Sequence, residues 1–162
     1  MSAVRYVVLA ALVVWLGGMV VLGLLVAPSV FRVLQGLDPE GGRVIAGAVF
    51  GEVLRRFHLL AYVCGTIVLV GLFLLKFVGP PPAAFALRVA LTSAMLAVAL
   101  YSGFPVSQEI AQIQADVQGP MNRLPERDPR RVRFDALHKT STTLMTASVV
   151  LGLVSLFWYT RE

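Results

Sequence analysis

The chain contains only two histidines, His58 in RRFHLLAYVCG and His138 in LHKTSTTLMTAS. Each stands at the start of a long apolar stretch. Two carboxylates, Glu109 and Asp135, stand at comparable boundaries between polar and apolar sequence. Imidazole nitrogens and carboxylate oxygens together form a donor set that suits divalent transition metals. The sequence therefore predicts a metal site built from His58, Glu109, His138 and Asp135.

Two other interpretations of the histidines remain open. Imidazoles on two facing helices can hold a haem iron from both sides. His58 and His138 would then be axial ligands of haem b, with Arg55, Arg56 and Lys139 near its propionates. In the third interpretation each histidine only ends a helix at the membrane surface, bonded to water, a lipid headgroup or Glu109. The cofactor, haem b or a divalent metal, stays undecided.

The last apolar stretch also carries a polar face. His138, Ser141, Met145 and Ser148 recur at spacings of three and four, which places them on one side of a helix. Trp15 lies in the middle of the first apolar stretch, where its indole N–H needs a partner. We expect these side chains to face the interior of a bundle. Packing alone also explains the hydroxyls, because Ser and Thr can bond to the carbonyl four residues earlier.

The composition and its distribution along the chain indicate which helices must position these residues. Hydrophobic residues make up 57% of the 162 and charged residues 14%, against about 25% charged in soluble domains. A helix of about 20 apolar residues crosses a bilayer. Four uncharged or nearly uncharged runs qualify: 6–31, 57–75, 89–106 and 140–160. They predict an all-α integral membrane four-helix bundle, one domain over 1–162, with spans near 5–31, 57–77, 84–106 and 138–160.

Several other classes of protein are disfavoured by the same sequence. The single cysteine, Cys64, provides no disulfide framework and no CxxC motif. No nucleophile–base pair, glycine-rich phosphate loop or zinc spacing is evident, so the balance is against an enzyme. Met19, Met95 and Met145 are too scattered along the chain to indicate a copper pathway. The pI near 10 reflects membrane topology rather than nucleic-acid binding, because the basic residues flank the spans.

The distribution of basic residues predicts the orientation. Ten of the 14 Lys and Arg residues fall in the first and third connections, and four fall on the other side. An excess of Lys and Arg marks the cytoplasmic side. We therefore expect a multi-pass protein of the cell membrane with both termini outside. Two cytoplasmic segments, 41–57 and 107–118, have apolar residues at helical spacing and are predicted to be amphipathic extensions, the second one following a kink at Pro105.

Three segments resemble a known family. VWLGGMVVLGLLVAPSVFRVL, GRVIAGAVFGEVLRRFH and RFDALHKTSTTLM, in this order and spacing, look like the transmembrane-protein-205-like family of small four-helix membrane proteins. The resemblance implies no assigned reaction, although one branch is associated with the handling of metal-containing drugs. His138 and Ser141 are the positions it carries over. An Asn often stands in that family near the position of Met145, so no polar role is carried over there.

The function most consistent with these patterns is binding or passage of a small solute, such as a metal ion or metal complex, near the cytoplasmic face. One alternative is a bis-histidine haem protein with a redox role. Another is a structural or assembly subunit whose amphipathic segments bind a partner. The expected partners are the lipid bilayer and either further copies of this chain or a membrane-complex partner, with no nucleic acid.

Overall fold

A computed structural model of the chain describes residues 2–117 and 119–159. The described residues form helices and connecting turns. Residues 160 and 161, counted above in the fourth span and in the topology, lie outside these ranges. The helices are α1 (Ser2–Val21), α2 (Ala27–Leu37), α3 (Gly42–Val78), α4 (Phe85–Tyr101), α5 (Ser107–Val117) and α6 (Pro129–Tyr159).

Among the described residues, four helical stretches are long and apolar enough to cross a membrane: Ser2–Leu37, Gly42–Val78, Phe85–Val117 and Pro129–Tyr159. In neighbouring order, α1 packs on α3, α3 on α4, α4 on α6, and α6 back on α1, which closes a ring of four. Large apolar side chains project outward around this ring, among them Leu24 at 72%, Leu59 at 55% and Phe77 at 80% exposure. Such an extended apolar surface is suited to lipid. The prediction of an all-α membrane bundle is confirmed.

Two spans contain a π-helical turn next to a proline. One comprises Leu22–Val26 and precedes Pro28; the other comprises Ser102–Val106 and contains Pro105. Proline has no backbone N–H to donate, so the regular hydrogen-bond ladder is interrupted there. The third span nevertheless continues into α5, as expected for the extension. Single π-helical turns are frequently found at functional sites.

The last helix begins earlier than the sequence predicted, at Pro129 rather than near residue 138. Asp128 explains the start, because its carboxylate accepts a hydrogen bond from the Arg130 N–H at 2.9 Å, and proline suits the first helical position. The Arg130 guanidinium also bonds this carboxylate and holds the pKa of Asp128 below its usual value. His138 therefore lies well inside a helix rather than at its first turn.

The core lies between α1, α3 and α4, around Trp15, Leu12, Val68 and Met95, each at most 1% exposed. Gly65 lets the Trp15 ring lie close against the backbone of α3, since a Cβ placed on Gly65 would lie 3.0 Å from that ring. Small residues permit this kind of close helix packing in membranes, where apolar faces alone do not drive association. Trp15 is thus fixed in the middle of the bundle.

Candidate functional site: a cavity between the four spans

A cavity of about 40 Å³ lies where all four spans meet. A single water needs roughly 10–15 Å³ of such volume, so the cavity suits a few waters or one small ion. Its polar or sulfur-bearing lining comes from every span: Trp15 and Met19, His58, Ser102, and Ser141, Met145 and Ser148. Of the side chains assigned from sequence to the interior face of the bundle, Trp15, Ser141, Met145 and Ser148 therefore lie at one cavity, whereas His138 is exposed.

His58 is the titratable side chain at this cavity, and it is 8% exposed. Its ring stacks on Tyr62, with 6.2 Å between the ring centroids. Tyr62 in turn donates a hydrogen bond from its hydroxyl to the Ala99 carbonyl at 3.3 Å. Gly103, in the second π-helical turn, makes room for this pair, since a Cβ there would lie 3.0 Å from His58 Cγ and collide with the Tyr62 hydroxyl. The irregular turn leaves room for the imidazole, and a hydrogen bond between the ring and the Leu54 backbone helps to hold it.

The six hydroxyl groups of residues 137–148 in α6 fall into two sets. Thr140, Thr142, Thr143 and Thr146 are exposed, and each donates to the carbonyl four residues earlier at 2.9–3.0 Å. Ser148 is 4% exposed and Ser141 is half-buried, and both line the cavity. In the described part of the chain neither serine makes such a bond. The cavity-lining hydroxyls are therefore available to a ligand, whereas the outward ones are already satisfied.

The metal site expected from sequence is not assembled. Glu109 is bound by the Arg133 guanidinium at 2.5 and 2.8 Å. His138 and Asp135 are both exposed, and the His138 ring stacks on Phe134. Within residues 2–117 and 119–159 no three His, Cys, Asp or Glu side chains lie close enough to hold a metal ion. His138 shares the helical face of Ser141, Met145 and Ser148, but it lies nearer the extension end of α6, outside the cavity, and its side chain is exposed there.

A haem between His58 and His138 does not fit this geometry. The cavity is far smaller than the roughly 300–1,000 Å³ of typical sites for organic ligands. Of the two histidines only His58 lines it; His138 is exposed nearer the extension end of α6. The two imidazoles therefore do not face each other across a space that could hold a macrocycle.

Residues 10–118 match the family described as a domain of unknown function, DUF4149. The chain belongs to the DUF4149 family. No curated protein and no solved structure matches it. The match covers the first three spans, including Trp15, Met19, His58 and Ser102, and ends before α6. The more specific resemblance to transmembrane-protein-205-like proteins is not established by this match.

One buried residue of this DUF4149 protein was missed by the sequence analysis. Arg88 was counted as a topology marker, yet it is fully buried near the start of α4. Its guanidinium lies 3.6 Å from the centroid of the Tyr159 ring, a cation–π contact that offsets part of the cost of burying a charge. The signal was present in FALRVALTS, where the arginine stands inside an apolar run rather than beside it.

The pairing of the two cavity methionines was also missed, since the sequence placed Met145 on an interior face but assigned Met19 to no site. Met19 on α1 and Met145 on α6 line the same cavity, although 126 residues separate them in the sequence. Met145 reaches across to the first π-helical turn, where a Cβ on Gly23 would lie 3.2 Å from its methyl carbon. No periodicity within one helix connects two side chains on different helices, so only the packing of α1 against α6 brings them together.

Proposed function

We propose that this DUF4149 protein is a non-enzymatic membrane protein that binds a small polar solute in the His58 cavity, as the binding step of its passage across the membrane. One observation carries the proposal. All four spans contribute to a cavity whose Ser141 and Ser148 hydroxyls are not satisfied by their own helix, and whose His58 imidazole, bonded to the Leu54 backbone through one ring nitrogen, has a second ring nitrogen to offer a ligand. Polar groups away from water cost free energy unless they find a partner. A bound solute, or the water that it displaces, would supply that partner.

The burial of the lining along α3 and α6 supports one direction of entry. Leu54, Phe57 and Ser141 are half-buried, whereas Trp15 and Ser148, deeper along the spans, are buried. The half-buried residues lie toward the end of the bundle that carries the extensions. A solute would therefore enter from the extension end and meet Ser148 last.

We also propose that the extension end is cytoplasmic, on the distribution of Lys and Arg. A membrane-impermeant thiol reagent applied to intact cells should label a Ser2→Cys variant. It should reach Asn122→Cys, in the third connection, only after the cells are permeabilised. The reverse pattern would invert the direction of entry. Both cysteine variants are made in a Cys64→Ala background, because Cys64 would otherwise be a second thiol in the chain.

A second copy of the chain is the proposed partner. Four spans enclose only a small cavity, and α6 presents Lys139, Thr140 and Thr143 on its exposed side. Small side chains such as Thr let helices approach each other closely in membranes, even where each hydroxyl is bonded to its own helix. Oxidation of a Thr143→Cys variant should yield a disulfide-linked dimer. Leu59→Cys, exposed on α3, serves as the control and should remain monomeric. Equal crosslinking at both positions would contradict this assembly.

The central test compares two serines on the same face of α6. Ser148 lines the cavity, whereas Ser155, about two turns further on and 1% exposed, does not. In a Cys64→Ala background and mild detergent, the small cationic reagent 2-aminoethyl methanethiosulfonate should modify Ser148→Cys and leave Ser155→Cys unreacted. The reaction requires water at the thiol. If Ser148→Cys is as inert as Ser155→Cys, the cavity is closed to solutes and the proposed function fails.

A further inference from the structure

We propose that the solute of the His58 cavity is a soft monovalent cation of the Cu(I) or Ag(I) class, bound by the thioethers of Met19 and Met145 and the imidazole of His58. This inference rests on the proposed function and names the chemical class of its ligand. It uses a donor set, two sulfurs and one nitrogen, that differs from the carboxylate-containing set expected from the sequence.

The three donors converge from three different spans. Met19 comes from α1, His58 from α3 and Met145 from α6, and all three line one cavity of about 40 Å³. The methyl carbon of Met145 approaches Gly23 in the first π-helical turn, so this side chain bridges α6 and the first span. His58 is held by Tyr62 and Gly103 on its other side. The donors are thus supplied by side chains that the packing already holds in place.

The charge of the cavity selects the charge of the ion. No Asp, Glu, Lys or Arg among residues 2–117 and 119–159 lines it. Transferring an ion into a region of low dielectric costs free energy that rises steeply with its charge, and a carboxylate is the usual compensation. With uncharged donors only, a divalent cation would remain uncompensated. A monovalent cation is the form that these donors can accept.

The thioether sulfurs among the donors favour a soft metal ion over a hard one. Thioether sulfur favours Cu(I), whereas carboxylate, carbonyl and water oxygens suit Mg²⁺, Ca²⁺ and Mn²⁺. Sodium or potassium ions, which prefer oxygen ligands, would find only the serine hydroxyls as ligands in this cavity. The serines then complete a polar wall around the ion rather than supplying its principal ligands.

Met95 provides a control for ordinary packing, which is the usual role of methionine in a core. It is 0% exposed and does not line the cavity. Its methyl carbon packs near Gly152, where a Cβ would lie 3.1 Å away. Met95 therefore shares the chemistry and burial of the proposed ligands without sharing their position.

The test is an anaerobic titration of the full-length protein in mild detergent with Cu(I), in competition with a chromogenic Cu(I) chelator. All variants carry Cys64→Ala, because a buried thiol is itself a soft donor. We expect one Cu(I) per chain. Met19→Leu, Met145→Leu and His58→Leu should each weaken binding by at least about tenfold, since even changes in outer-shell partners of metal sites cost about 10–100-fold. Met95→Leu should bind Cu(I) like the parent, and Zn²⁺ should not compete.

Equal Cu(I) affinity in Met19→Leu, Met145→Leu and Met95→Leu, with all three proteins helical by circular dichroism, would overturn the inference. So would the absence of stoichiometric Cu(I) in the parent protein. The proposed function fails separately: if Ser148→Cys reacts with the thiol reagent and Cu(I) does not bind, the cavity takes a different small solute. If Ser148→Cys is inert, the solute site itself is absent.

Discussion

The outward and inward faces of α6 carry the same kind of side chain in two different states. On the outward face the hydroxyls of four threonines donate hydrogen bonds to backbone carbonyls of α6 itself. On the inward face Ser141 and Ser148 line a cavity without such bonds. Hydroxyls in a membrane helix therefore do not indicate a site by their number. What matters is whether each hydroxyl is already hydrogen-bonded to a carbonyl of its own helix. By that criterion LHKTSTTLMTAS contains threonines that are compatible with lipid and serines that can line a binding cavity.

The largest expected effect comes from closing the space that positions His58. Gly103→Ala places a methyl 3.0 Å from His58 Cγ and against the Tyr62 hydroxyl, so the imidazole must move. Overpacking of this kind costs about 1–3 kcal/mol of unfolding free energy. Thermal unfolding in detergent should show a clear loss of stability. Gly17→Ala is the matched control, since a Cβ there meets nothing within 4 Å; it should be neutral or stabilising by up to about 1 kcal/mol.

A comparable loss of stability in Gly17→Ala, or an unchanged Gly103→Ala, would mean that the second π-helical turn does not hold His58 in place. The inward face would then lack the rigid support that a binding site needs.

Filling the inward face should abolish ligand access while leaving the fold intact. Ser148→Leu adds an apolar side chain to the deepest part of the cavity, so reagent labelling of Ser141→Cys should slow and Cu(I) binding should be lost. Thr146→Leu makes the same kind of change on the outward face and should alter neither measurement. If both leucines act alike, the two faces of α6 do not differ in function.

Removing outward hydroxyls should have little effect. Thr142→Val and Thr146→Val delete hydroxyls that bond only to their own helix, and surface substitutions of this kind usually stay within about 0.5 kcal/mol. We expect unchanged Cu(I) affinity and nearly unchanged thermal unfolding. Weakened Cu(I) binding in either variant would assign the outward threonines a role that the present account denies them.

The smallest effect is expected at Glu109, the carboxylate that the sequence suggested as a metal ligand. Glu109→Gln breaks its ion pair with Arg133, and exposed pairs of this kind contribute little and are screened by salt. Thermal unfolding should show a slight decrease at low salt that disappears at high salt, with no change in Cu(I) affinity. A loss of Cu(I) binding in Glu109→Gln would show that Glu109 contributes to the metal site after all.

Features local to one helix could be predicted from the sequence, and features between helices could not. The four spans follow from runs of apolar residues, and the periodicity of α6 grouped Ser141, Met145 and Ser148 on one face. His138 fits that periodicity too, but it is exposed at the extension end. Met19 reaches the cavity only because α1 packs beside α6, a relation that no pattern within either segment encodes.

Burial of Arg88 has the same cause. Its sequence neighbours indicate a helix, but only the placement of Tyr159 on α6 shows that the guanidinium has an aromatic ring to pack against. The early start of α6 was missed for a different reason: PRRVRFDA is too polar to resemble a span, yet Asp128 and Pro129 together begin a helix there.

The most direct measurement compares two positions of α6 that lie two residues apart on opposite faces. In liposomes containing the Cys64→Ala protein, the rate of modification by 2-aminoethyl methanethiosulfonate is measured for Ser148→Cys and Thr146→Cys. The account predicts that Ser148→Cys reacts faster, because the cavity brings water to the buried face while lipid covers the exposed one. Equal rates, or faster reaction at Thr146→Cys, would contradict it.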